Sequence, residues 1–135
     1  MPFFQWSDKL ETAVPEIDEQ HRILVTYINK LHDAVMTNSD KEVLGPILSG
    51  LVNYTVYHFF TEESLMESDA YPDYEDHRKE HISLTEKTMD FFTRYHAGQC
   101  DIGDDLCDFL RDWLTTHIMI TDFKLGAFLN GKAQR

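Results

Sequence analysis

The sequence predicts an all-α protein, an antiparallel up-down-up-down four-helix bundle with an N-terminal arm packed on it. Three observations support this. Apolar residues recur at helical spacing in four segments of roughly 20 residues. The breaks between them are short, which favours antiparallel neighbours. No stretch shows the alternation of a half-buried strand. At 135 residues the chain reads as a single domain with one core.

The first helix is expected over about 19–37. Ile23, Leu24, Tyr27, Ile28, Leu31 and Val35 form its apolar stripe, and Asp18 reads as its N-cap, with Pro15 upstream. The second is expected over about 40–66. Ser39 and Glu42 suggest a capping box, and Gly45-Pro46 marks either a kink or a start at Pro46. The third is expected over about 73–96, closing near Gly98, and the fourth over about 104–129, closing at Gly131. Residues 1–17 are left as an arm. Phe3, Phe4 and Trp6 make it apolar, so it should pack on the bundle.

Composition narrows the function. Twenty-four acidic against twelve basic residues give a formal net charge of −12, which repels phosphate backbones and argues against nucleic acid. No apolar run approaches the roughly 18 residues that span a bilayer. The segment Met1 to Trp6 lacks the basic and long apolar regions of a signal peptide, so the expected location is cytoplasmic. The acidic surface and the lack of an obvious exposed apolar stripe point to a monomer. Cys100 and Cys107 are too few for a cysteine zinc site and read as free thiols.

The histidines carry the chemistry. His58 and Glu62 are four residues apart in the second helix, and His77 and His81 are four apart in the third. A four-residue step leaves two side chains about 40° apart on the helical wheel, so each pair can aim at one centre. His21 opens the first helix and His117 lies in the fourth. Asp122 is five residues after His117, about 140° away on a regular helix; a local widening of π type brings the two together. One such pair alone is a weak signal, since a lone histidine is usually a surface or core residue. Three pairs on successive helices with a histidine on the remaining one point to a metal site. Five imidazoles and two carboxylates suit a borderline metal, not calcium or magnesium, and exceed what one tetrahedral zinc takes. They fit two metals bridged by the carboxylates.

Four stretches, Ile17-Asp18-Glu19-Gln20-His21, His58-Phe59-Phe60-Thr61-Glu62-Glu63, His77-Arg78-Lys79-Glu80-His81 and His117-Ile118-Met119-Ile120-Thr121-Asp122, resemble the hemerythrin family in its single-domain bacterial form. The resemblance runs from about Trp6 to Leu129. It implies two iron ions per chain, cycling between Fe2+ and Fe3+ and joined by an oxo or hydroxo bridge. It implies that His77, His81 and His117 hold one iron, that His21 and His58 hold the other, and that Glu62 and Asp122 bridge both. On two six-coordinate irons that donor set leaves one open position, on the iron of His21 and His58. The implied function is reversible dioxygen binding, as a carrier or store. Trp113, Leu114 and Ile118 are candidate walls of the oxygen pocket. His32 and His96 match no ligand position.

Two other readings use the same bundle. A di-iron carboxylate enzyme calls for Glu-x-x-His on two helices, and this chain has none; Asp18-x-x-His21 is the nearest. A site rich in histidine and poor in carboxylate favours carrying oxygen over activating it. Oxygen or redox sensing, iron storage and nitric oxide detoxification would use the same ligands.

Overall fold

In the computed structural model, which describes residues 2–37, 41–98 and 103–133, four helical rods form the bundle. The first is α1 (Pro15–Met36), the second α2 (Lys41–Ser68) and the third α3 (Tyr74–His96). The fourth is one continuous rod made of α4 (Gly103–Thr116), a π-helical stretch (His117–Asp122) and α5 (Phe123–Ala133). Sequence neighbours pack against each other and α4 closes the ring against α1, the up-down-up-down arrangement. No strand occurs among the described residues, and no helix there is long and apolar enough to cross a membrane.

The first helix begins earlier than the sequence suggests. Pro15 occupies its first turn, where a missing N–H costs nothing, and Val14 takes the extended cap position. Asp18 is therefore inside the first turn and not an N-cap. Its carboxylate is buried and accepts hydrogen bonds from the Thr12 N–H and the Thr12 hydroxyl, each at 2.8 Å. It ties the arm to the helix. α2 runs straight through Gly45-Pro46, so Pro46 is an internal proline near the helix start. Ser39, the cap of the expected capping box, and Cys100 lie outside the described residues. α3 stops where expected: Gly98 turns left-handed at φ 96° and its N–H bonds the Tyr95 carbonyl at 3.0 Å.

The arm is pinned by two-way hydrogen bonds between the Phe4 backbone and the Asn29 amide, both 2.8 Å. Phe4 and Leu10 are buried in the main core. Two apolar clusters divide the interior. The larger includes Leu24, Ile28, Leu51, Phe59, Leu114 and Ile118. The smaller consists of Ile17, Met66, Tyr71 and Leu125. Along each rod the candidate ligands fall between the two: His21 lies between Ile17 and Leu24, Glu62 between Phe59 and Met66, Asp122 between Ile118 and Leu125. The polar layer is thus capped by apolar packing at both ends.

Candidate metal centre

All four rods contribute to that layer. His21 comes from α1, His58 and Glu62 from α2, His77 and His81 from α3, and His117 and Asp122 from the π stretch. Each of the seven is at most 2% exposed. The π stretch brings Asp122 inward despite its five-residue offset from His117; a regular helix would have turned it away.

The two carboxylates divide their oxygens between two groups of imidazoles. Glu62 Oε1 lies 3.0 Å from Nε2 of both His77 and His81 and 4.0 Å from that of His117. Asp122 Oδ1 lies 3.0 Å from His77 Nε2 and 3.1 Å from His117 Nε2. On the other side, Glu62 Oε2 lies 2.8 Å from His58 Nε2 and 3.3 Å from His21 Nε2, and Asp122 Oδ2 lies 2.9 Å from His21 Nε2. The ligand-type atoms fall into two clusters, one of His77, His81 and His117 and one of His21 and His58, sharing Glu62 and Asp122.

Two cations fit this arrangement. Burying two carboxylates side by side is very unfavourable unless positive charge joins them. His58 Nε2, His117 Nε2 and both Asp122 oxygens are buried without a hydrogen bond of proper angle, although imidazole and carboxylate lie about 3 Å apart. Donor atoms gathered this closely without bonding one another suit the ligands of a shared ion. Without metal, protons take that role. Burial opposes charge on His21 and His77, but the adjacent carboxylates of Asp122 and Glu62 outweigh it and lift both to about 9. His117 is raised as well, against burial, by Asp122 above all. Burial pushes the carboxyls of Glu62 and Asp122 up, yet the surrounding imidazoles hold both well below the usual carboxylate range.

Three imidazoles are held from behind. The His58 Nδ1–H donates to Gln20 Oε1 at 2.8 Å, and Gln20 in turn donates to the Thr61 hydroxyl at 3.2 Å. The His81 Nδ1–H donates to Glu63 at 3.2 Å and the His117 Nδ1–H to Glu80 at 2.9 Å. Phe59 stacks on His81 (ring centroids 3.8 Å apart, 7° between planes) and Trp113 on His117 (4.4 Å, 18°). Sequence reasoning did not single out Gln20, Glu63 or Glu80. Their signal was adjacency, since each sits beside a ligand: Gln20 before His21, Glu63 after Glu62, Glu80 before His81.

An apolar hole of about 10 Å³ lies inside the larger core. Its lining follows a rule in the numbering. Leu24 and Ile28 are three and seven residues after His21, and Leu51 and Thr55 are seven and three before His58. Leu84 is three after His81, and Leu110 and Leu114 are seven and three before His117. The alternating signs mark one end of an antiparallel bundle. Phe59 completes the lining. Of the three expected pocket walls, Leu114 lines this hole. Ile118 is buried in the surrounding core, and Trp113 faces an outer groove of about 410 Å³ with Glu80 and Asp112. His32 and His96 are away from the centre: His32 stacks on Phe3 at 4.0 Å, and His96 packs on Phe92 at 4.3 Å.

Known proteins share this design. The profile of the hemerythrin HHE cation binding domain matches residues 12–129. Bacteriohemerythrin of Methylococcus capsulatus is 36% identical over 119 residues, covering 88% of this chain and 90% of that protein. Myohemerythrin of Theromyzon tessulatum is 29% identical over 121 residues, covering 90% of this chain and 89% of its own. A crystal structure of wild-type hemerythrin superposes with a TM-score of 0.87 at 33% identity, covering 93% of this chain and 96% of that one. With a bundle of this topology, a buried layer of five imidazoles around two carboxylates and a matching profile over nearly its whole length, this chain belongs to the hemerythrin family.

Proposed function

We propose that this chain binds dioxygen reversibly at a pair of irons and serves as an oxygen carrier or store. One observation carries the reading: Glu62 turns one oxygen to His77, His81 and His117 and the other to His21 and His58, while Asp122 turns one oxygen to His77 and His117 and the other to His21. His77, His81 and His117 would hold one iron, His21 and His58 the other, and Glu62 and Asp122 would bridge them. The chemistry such a pair would supply when bound is reversible dioxygen binding, on the side that has fewer imidazoles.

The chain's own residues prepare for that role. The Gln20 amide fixes the ring of His58, so the side with two imidazoles keeps a set geometry. The hole lined by Leu24, Ile28, Leu51 and Leu114 is apolar and offers a water no free partner, because the one hydroxyl beside it, on Thr55, is spent on the Leu51 carbonyl at 2.8 Å. Water is thereby kept from a site where proton delivery would convert reversible binding into oxidation. Five imidazoles against two carboxylates favour a carrier over an oxygen-activating enzyme.

The test is an absorption spectrum of purified protein, reduced without air, then exposed to oxygen, then deoxygenated, with iron quantified alongside. A visible band that comes and goes with oxygen at two irons per chain is the expected result. Two irons that only become permanently oxidised would replace the carrier role by sensing, redox or storage.

A further inference from the structure

Three hydrogen bonds behind the candidate ligands follow one pattern and differ in charge. Each runs from an imidazole to a residue of the preceding helix. Gln20 of α1 accepts from His58 of α2, Glu63 of α2 from His81 of α3, and Glu80 of α3 from His117 of the π stretch. The side with three imidazoles is therefore backed by two carboxylates, and the side with two imidazoles by a neutral amide.

We propose that Glu63 and Glu80 are positioning residues that stabilise the oxidised state of the iron held by His77, His81 and His117, while the neutral Gln20 leaves the iron of His21 and His58 without that bias. The inference rests on the di-iron reading above. A metal-bound imidazole that donates to a carboxylate is a more basic ligand than one that donates to an amide. A nearby negative charge also favours Fe3+ over Fe2+, by one extra unit of Coulomb attraction.

The two carboxylates are not equal. Glu63 is 26% exposed and shares its charge with Arg78, 3.5 Å away. Glu80 is 44% exposed and, among the described residues, has no lysine or arginine partner. It also receives the Thr121 hydroxyl, 2.8 and 2.9 Å from its two oxygens, and so holds the π stretch as well as the imidazole. Both acids line grooves open to solvent, so screening keeps either effect moderate. Glu80 should dominate.

The experiment is an anaerobic spectroelectrochemical titration of iron-loaded variants, with iron quantified first. Glu80→Gln keeps an acceptor oxygen and loses the charge. It should raise the midpoint potential by the equivalent of about a tenfold change in the ferric to ferrous ratio, ~59 mV for one electron. Glu63→Gln should raise it by less. Gln20→Glu, which puts a carboxylate behind His58, should lower it, and decides the matter if Glu80→Gln sheds metal. Thr121→Val removes the tie to the π stretch and keeps the charge, so it should leave the potential close to that of the parent chain. Potentials that move no further in the charge variants than in Thr121→Val overturn the inference and leave the di-iron reading intact. A parent chain that takes up no iron overturns both.

Discussion

At the scale of single residues, Glu62 and Asp122 outrank the rest of the site because each faces both imidazole groups. Glu62→Ala and Asp122→Ala should each reduce iron from two per chain to nearly none, measured by metal analysis after anaerobic loading. A Glu62→Ala protein that keeps two irons would rule out the bridging assignment. His58→Ala removes an imidazole from one group only, so its loss should be partial. Leu114 is a different kind of residue. It lines the apolar hole three residues before His117 and is not itself a candidate ligand. Leu114→Ser should leave iron at two per chain and speed autoxidation by roughly tenfold, the kinetic equivalent of about 1.4 kcal/mol. An unchanged decay rate of the oxygenated band would separate that hole from oxygen protection.

At the scale of elements, the π stretch is the decisive departure from regular structure. It lets His117 and Asp122 share one face, at the expense of leaving Met119, Ile120 and Phe123 on the surface. Local irregularity of this kind persists where the surroundings hold it. Here Glu80 holds it through Thr121, and the arm packs beside it through the short 3-10 turn Asp8–Leu10. The arm also meets α5 at Gly126, where an added Cβ would run into the Thr12 carbonyl oxygen. Because the obstacle is backbone, it cannot swing aside. Gly126→Ala should therefore destabilise the fold by about 1–3 kcal/mol, read as a lower midpoint in chemical denaturation. Gly131, which has open space around it, should accept alanine with little effect.

For the whole molecule, stability and metal content are linked through protons. In the metal-free chain the imidazoles of His21 and His77 are raised from 6.5 to about 9. A raised imidazole contributes stability that is fully present below 6.5 and fades as pH rises through about 9. Glu62 and Asp122 are lowered from ordinary values of 4.5 and 3.8, so their contribution is present above those values and is lost as pH falls. The metal-free protein should be most stable between about pH 4.5 and 6.5 and should lose stability towards pH 9. Iron needs neutral imidazoles, so loading at pH 7 should release protons, and the loaded protein should not weaken on the alkaline side. Thermal denaturation of both forms across pH, with proton release followed by a weakly buffered indicator, checks each part. Equal alkaline behaviour in the two forms would contradict the shared use of these imidazoles by protons and metal.

Much of this was legible in the order of residues, because helices are local. Steps of four from His58 to Glu62 and from His77 to His81 place each pair on one face whatever the rest of the chain does. The five-residue step from His117 to Asp122 likewise calls for the π stretch. The start of α1 was less legible: Asp18 resembles an N-cap by composition, but Pro15 and Val14 begin the helix and Thr12 claims the carboxylate. The residue order alone determined the helical periods, the candidate ligands and the family they resemble. Only the tertiary structure decided which carboxylate oxygen faces which imidazole, that Gln20, Glu63 and Glu80 stand behind His58, His81 and His117, and that Trp113 lies on the outer side while Leu114 faces the hole. Those contacts join residues as far apart in the chain as His21 and Asp122. They depend on the rotation and axial offset of one helix against another, which core packing sets and which no short-range spacing encodes.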